Sequence, residues 1–531
     1  MMFKQAMLSI GLVSAGLLGA ACDGDTGPEG PAGPPGGVDP TLSAADKAIT
    51  ALGGRPVLAG LRTLTATVEG SRGILDEGYL PEDEAAPAAS FSAALSWDYG
   101  TGDVRLDYER DVVFPFPNEY TYAELLRADG GWVTGVDNFF GAPDGAMSSE
   151  RWAAARRQQQ LLHPETLVRD LASGKVTGKD AGVGVIGGVL HHRLEVADDV
   201  APLTLWIEVG TGRISKLSTV ANEHLRSDVA VEALYGDWQV ESGGVSLPRR
   251  AVITVDGEQV LEEERTAVTV NAALAPTTFA VPGGGVPSVI PAEAARGRRS
   301  YEFFQSFIGL GIPLGGAQTL VTPTELAPGV WHLTGASHNS LVVEQASGVV
   351  VVEAPLYGAR SEALLAWIGT QFPGKSVSHV VATHFHGDHS AGLRTFVARG
   401  ATVVAGESAL GLYRQVFAAR RTIEPDALSA SPRLPTLRGV RPGATLTLAD
   451  ATRPVQIYTV NTTHAADMLV AVVNGVLFVS DIFSPGFPPS VPALRELRAA
   501  ITDHPAITVA TLAGGHGGVA TLAELDALIG D

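Results

Sequence analysis

The sequence predicts two folded domains of different class, a β-rich α+β domain followed by an α/β domain. Three observations carry this. Short apolar runs with strand-like alternation, separated by Gly-rich turns, fill most of residues 63–270. Beyond Gly348 strand-like and helix-like periods alternate, the pattern of sheets covered by helices. Nine of the thirteen histidines lie in residues 318–531, beginning at His332, and three of them crowd into Thr383-His384-Phe385-His386-Gly387-Asp388-His389.

Residues 1–21 read as an export signal rather than part of the fold. Lys4 supplies the positive start, Ala6 to Leu18 the apolar stretch, and Gly19-Ala20-Ala21 a small-residue cleavage site. That stretch is too short to read as a membrane-spanning helix. Cys22 follows at once and is the only cysteine, so it has no internal disulfide partner. The segment resembles a bacterial lipoprotein signal with Cys22 as the lipidated residue, although Gly19 stands where such signals usually place Leu. The resemblance implies an exported, periplasmic or cell-surface lipoprotein held to a membrane through an N-terminal lipid anchor. Residues 22–40 have Gly at every third position from Gly24 to Gly36, too few triplets for a collagen helix, and read as an extended tether.

Residues 41–282 form the expected first domain. A short helix, Ala44 to Leu52, precedes strands at Thr63 to Val68, Phe91 to Tyr99, Val104 to Tyr108, Leu203 to Val209, Val245 to Val255 and Thr266 to Val270. One helical insert is expected from Ser149 to Ala172. The pattern loosely resembles the half-barrel folds of lipoprotein-sorting and lipid-carrier proteins. The domain offers little chemistry. Gly182, Gly184 and Gly187 match GxGxxG, but the strand-like run Val189 to Leu194 follows where a dinucleotide site needs a helix, so a glycine-rich turn is expected. His191 and His192 are adjacent on a strand and cannot share a face. His163-Pro164 reads as a helix terminus. Residues 283–317, rich in Gly, Pro and Arg, read as an exposed linker, with an aromatic stretch from Tyr301 to Ile308.

Residues 318–531 form the expected second domain. Strands are predicted at Gly348 to Glu353, Val377 to Ala382, Thr402 to Ala405, Gln456 to Val460, Met468 to Val473 and Val476 to Val479. Helices are predicted at Ser361 to Phe372, Gly392 to Ala398 and Leu522 to Leu528. The His-x-His-x-Asp-His stretch follows the strand Val377 to Ala382. His464 lies beyond the strand Gln456 to Val460, Asp481 ends the strand at Val476, and His516 sits among Gly514, Gly515, Gly517 and Gly518. Imidazole and carboxylate are ligands that zinc accepts. Costly polar groups gathered at strand ends point to a metal site.

On these residues the second domain resembles the metallo-β-lactamase-fold hydrolases. The resemblance implies an αββα sandwich with two zinc ions at one edge, iron or manganese being alternatives. It implies His384, His386 and His464 at the first metal, Asp388, His389 and His516 at the second, and Asp481 bridging. A water shared by two such ions ionises near neutral pH and can attack a carbonyl. Asp388 is the expected catalytic carboxylate, orienting that water or carrying its proton. Glu353, Thr383, Thr463 and Ser480 are the groups expected to fix the imidazoles, Glu353 standing where the family often has Asp. His338 and Asn339 lie in a loop placed to reach over the metals, His338 being either a substrate contact or plain loop. His332 and His379 are expected to be structural, and His504-Pro505 a turn. Tyr413, Phe417, Arg414, Arg420 and Arg421 either wall the pocket or form an ordinary solvated helix.

The formal net charge of −20 repels phosphate backbones and argues against a nucleic-acid partner. No Cys is available for a thiolate ligand, and no Gly-x-Ser-x-Gly elbow appears. Glyoxalase II carries a further glutathione-binding region, for which the fifteen residues after His516 leave no room, so it is disfavoured. The expected activity is hydrolysis of a small ester, lactone, thioester or amide. Two alternatives stay open, a lipid- or ligand-binding lipoprotein with a secondary metal domain, and a mononuclear iron sulfur dioxygenase.

Overall fold

The computed structural model describes residues 39–114, 116–137, 144–283, 285, 288–300, 319–335, 337–504 and 508–530. The export signal, Cys22 and most of the tether and linker lie outside them.

The N-terminal region is built on one thirteen-stranded antiparallel sheet. Its first and last strands, Thr63–Ile74 and Glu258–Val270, pair at the centre. Strands Ala86–Asp98, Asp103–Val112, Asn118–Arg127, Gly130–Gly135 and Asp144–Ala146 continue in sequence order on one side. The strands from Ser246–Val255 back to Gly178–Ile186 continue on the other. Alternation dictates this: Leu64, Ala66 and Val68 are buried with Ala93, Leu95 and Trp97 on one face. The helices lie on that face and share its core through Ile49, Leu162, Val168 and Leu171. The expected single insert is two helices, Ser149–Leu162 and Pro164–Ser173. Pro164 forces the break, since it lacks the N–H that would continue the first helix, and it suits the first turn of the second. Gly182 and Gly184 are in a strand, and the turn falls at Gly187-Gly188, both with positive φ, so no phosphate cradle forms. Part of the expected linker is a helix, Pro291–Arg299. Gly297 lets it lie against the Glu150 backbone, and Arg296 pairs with Glu150.

The C-terminal region is an αββα sandwich. A seven-stranded sheet runs from Thr322–Ala327 to Thr436–Val440 and a six-stranded sheet from Thr445–Leu448 to Val519–Ala520. Val349–Val352 is buried on both faces. Val350 and Val352 meet Ile457, Leu469 and Phe478 between the sheets. Val349 and Val351 meet helices Gly358–Gln371 and Leu393–Ala398 outside. Helices Val491–Asp503 and Leu522–Ile529 cover the other outer face.

The two regions are packed together in one compact unit. Leu225, in the turn between strands Ile214–Glu223 and Ser227–Val240, is fully buried in the outer core of the seven-stranded sheet. The Asp228 carboxylate accepts from Thr422 N at 2.7 Å and Ile423 N at 3.1 Å. Arg421 donates to His224 O at 3.2 Å. The segment after helix Leu410–Ala418 therefore holds the N-terminal region. Of the residues expected there as pocket wall or solvated helix, Tyr413 and Phe417 are buried in the core, Arg414 and Arg420 are exposed, and Arg421 contacts the N-terminal region.

At the elbow between the two N-terminal helices, Glu165 Oε1 accepts from the Tyr99 hydroxyl at 2.8 Å and lies 2.9 Å from His163 Nδ1. Arg265 donates to Leu162 O at 2.8 Å and ties this elbow to the central strand. Burial pushes the Glu165 carboxyl up, but His163, Arg265 and Tyr99 outweigh it and bring it down to about 2. A carboxyl depressed in the folded state stabilises above its unfolded pKa and loses that contribution as pH falls toward the folded one. Lowering the pH from about 6 to about 3.5 is expected to remove on the order of 1 kcal/mol through this group. Urea midpoints at the two pH values should converge in Glu165→Gln relative to the parent.

Candidate metal centre

The strand Val377–Val381 delivers the histidine stretch to one end of the sandwich. The loop is clamped from several sides. Leu469 N donates to Thr383 O at 2.7 Å, the Tyr413 hydroxyl to His384 O at 3.0 Å, and Ser390 Oγ to His386 O at 2.9 Å. Tyr413 is thus a buried prop behind His384.

All seven predicted ligand residues converge. The ligand atoms of His384, His386 and His464 lie within 4.8 Å of one another, and so do those of His338, Asp388, His389 and His516. Asp481 stands between the groups. Its Oδ1 lies 3.0 Å from His389 Nε2 and 3.2 Å from His516 Nε2, and its Oδ2 lies 3.5 Å from His464 Nε2.

Glu353 is fully buried behind them and has φ +66°. A non-glycine residue in the left-handed region costs energy and is held there by its surroundings. Its Oε1 accepts from Thr383 Oγ1 at 2.7 Å and from Ser480 Oγ, and its Oε2 lies 2.9 Å from His389 Nδ1. That contact leaves His389 Nε2 facing the cluster. His332 Nε2 contacts Gly514 O at 3.0 Å and His379 Nδ1 contacts Ser378 Oγ at 3.1 Å, structural roles as expected. Thr463 is different from expectation. It turns to Glu496, accepted at its backbone N at 3.0 Å, and touches no imidazole.

His338 is buried in the cluster, so its loop reaches over the histidines and is not plain loop. Its Nε2 lies 2.9 Å from Asp388 Oδ2 and its Nδ1 2.8 Å from Ser337 Oγ. Asn339 donates to Gly514 O and Gly517 O at 3.1 and 2.9 Å and so fixes the glycine loop that carries His516.

The electrostatics suit a cation. Burial and neighbouring imidazoles hold His384 well below its ordinary pKa and bring His386 down to about 4. Neutral imidazole is the metal-binding form. Burial works against charge on His389 too, yet Asp388, Asp481 and Glu353 drive its pKa well up. Asp481, although buried, is held well below the carboxylate range by His389 and His516. The carboxylates thus impose a strong demand for positive charge. His386 Nδ1, Asp388 Oδ1, His389 Nε2 and Asp481 Oδ1 are buried without a hydrogen bond, although His389 Nε2 and Asp481 Oδ1 are close. Buried imidazole nitrogens and carboxylate oxygens without hydrogen bonds suit a metal.

Sequence reasoning missed what the N-terminal region contributes. The loop between strands Thr63–Ile74 and Ala86–Asp98 crosses to this site. Gly78 O lies 2.9 Å from His386 Nε2, and Glu77 Oε2 lies 3.3 Å from His386 Nδ1. His224 packs on Gly387, where a Cβ would come within 2.7 Å of its Nε2. Asp76-Glu77-Gly78 carries no signal beyond that of a turn.

Removing the charge of Glu353 while keeping its shape tests the prop behind His389. Glu353→Gln is expected to weaken metal retention about 10- to 100-fold in chelator competition, with the near-UV circular dichroism unchanged.

Comparison with known proteins agrees with this geometry. The description "Metallo-beta-lactamase superfamily" matches residues 333–515. No curated protein sequence matches the chain. Similar solved structures include DIM-1 metallo-beta-lactamase, at 19% identity over 39% of this chain and 95% of that one, TM-score 0.31. A metallo-beta-lactamase from Pontibacter korlensis is 17% identical over 40% and 97%, TM-score 0.32. One from Hirschia baltica is 18% identical over 39% and 94%, TM-score 0.31. The sandwich, the converged histidines and the match over residues 333–515 together place the C-terminal region of this chain in the metallo-beta-lactamase superfamily.

Proposed function

We propose that the C-terminal region is a metal-dependent hydrolase of a small carbonyl substrate, an ester, lactone, thioester or amide. The observation that carries this is the set of buried ligand atoms lacking hydrogen bonds at the junction of two histidine groups. His384, His386 and His464 would hold one ion, Asp388, His389 and His516 a second, with Asp481 between them. Nitrogen and oxygen donors without thiolate suit zinc, and also iron or manganese. Bound divalent metal supplies Lewis acidity and a water ionised near neutral pH.

The chain's own groups do the rest. Asp388 Oδ2 is engaged by His338, whereas Oδ1 is buried without a hydrogen bond, so Oδ1 is the atom able to accept a proton. Burial pushes the Asp388 carboxyl up, but His389 and His338 hold it well below the usual range, so it enters the reaction ionised. Burial and His516 bring His338 down to about 3, which keeps it a neutral hydrogen-bond partner to Asp388. Glu353, Thr383 and Ser480 keep the imidazoles in place.

We also propose that Cys22 carries the lipid and that the mature protein is exported. This rests on the residues around Cys22 alone. Cys22→Ser should move the protein from the membrane to the soluble fraction.

Freshly purified protein is expected to carry close to two metal equivalents and to turn over members of an ester, lactone and thioester panel. His386→Ala should cost at least about 10³-fold in kcat/KM. Asp388→Asn should cost about 10²-fold or more, the scale of lost proton transfer. Metal-free wild-type protein, or full turnover by His386→Ala, would falsify the hydrolase reading.

A further inference from the structure

Glu77 is the buried acid that this function does not use. Its loop is pinned on both sides. The Asp76 carboxylate takes Arg226 Nε at 3.0 Å and Nη2 at 2.8 Å. On the other side Ala466 N donates to Tyr79 O at 2.8 Å. Gly78 fits only as glycine, because a Cβ there would lie 2.7 Å from Asp83 Cβ. The Glu77 side chain is held between these anchors at 9% exposure, aimed at the histidine cluster.

No Lys or Arg pairs with Glu77 among the described residues. Burial pushes its pKa well up, with Asp388, Asp481 and Asp76 adding to this and His389 opposing it. A cation bound beside it would hold it ionised, and the neighbouring atom shows where that cation would sit. Gly78 O accepts from His386 Nε2, so Nε2 carries the hydrogen and Nδ1 presents its lone pair. Glu77 Oε2 is 3.3 Å from that Nδ1, and both are within 4.8 Å of a ligand atom of Asp388.

We propose that Glu77, from the N-terminal region, is a protein ligand to the cation bound at His386, whose Nδ1 it approaches. The proposal rests on the metal-centre reading above. A carboxylate beside imidazole is a donor that zinc, iron or manganese would accept, and Glu77 would supply it there from outside the histidine-bearing region. The N-terminal region is then part of the metal centre and not a carrier attached to it.

Cobalt(II) substitution of the full chain tests this without relying on turnover. Glu77→Gln and Glu77→Ala are expected to change the visible d–d spectrum and to weaken retention of the first equivalent at least about 10-fold against a chelator. Glu82→Ala, an exposed acid of the same loop, should change neither. Wild-type spectrum and retention in both Glu77 variants, with native near-UV circular dichroism, would overturn the assignment and leave the metal centre standing. Failure of the wild-type protein to take up cobalt would overturn both.

Discussion

Glu353 is the group on which the two halves of the sandwich agree. It follows the strand Val349–Val352 of one sheet and binds Thr383, just beyond the strand Val377–Val381 of the same sheet. It also takes Ser480, the last residue of Val476–Ser480 in the other sheet. One buried carboxylate therefore sets the distance between two sheets at the end where the ligands emerge, and the same carboxylate orients His389. A buried charge is tolerated only when its lone pairs are filled, so the site cannot relax without cost to the fold. The positive φ values of Glu353 and Ser480 sit at this junction, where chain direction is sacrificed to side-chain placement.

The converging histidines and carboxylates were legible in the sequence because metal-binding chemistry restricts residue type and because strands end where they must. His384, His386, Asp388 and His389 occupy one loop, and the apolar run before it announced the strand. Asp481 and His516 follow apolar runs in the same way. The alternation of strand and helix periods announced helix-covered sheets, the αββα order came through the family resemblance, and Glu353 was legible as an acid at a strand end. Thr463 misled because proximity in sequence to His464 says nothing about side-chain direction. The hydroxyl turned instead to Glu496 on helix Val491–Asp503, an acceptor thirty-three residues away. Tyr413 misled similarly, its apolar ring suiting a core as well as a pocket.

The contribution of the N-terminal region was illegible for a stronger reason. Six of its thirteen strands were read from local alternation, but the placement of the Leu75–Ala85 loop follows from docking. Leu225 buried in the other region's core, Asp228 on the Thr422 and Ile423 amides, and Arg226 on Asp76 fix that docking together. No single one of these contacts has a sequence signature. Each is an ordinary residue in an ordinary turn until the surfaces meet.

Charge closes the account of the centre. Asp388 and Asp481 are held ionised, and His384, His386 and His464 neutral, by the surroundings already described. Two divalent ions there, as proposed above, would be only half balanced by these two carboxylates. Glu353, against His389, and Glu77, against His386, are two further carboxyl groups at the cluster, one from each region of the chain. A cation between them would be met by acids from both sides, the condition under which burying charge costs least.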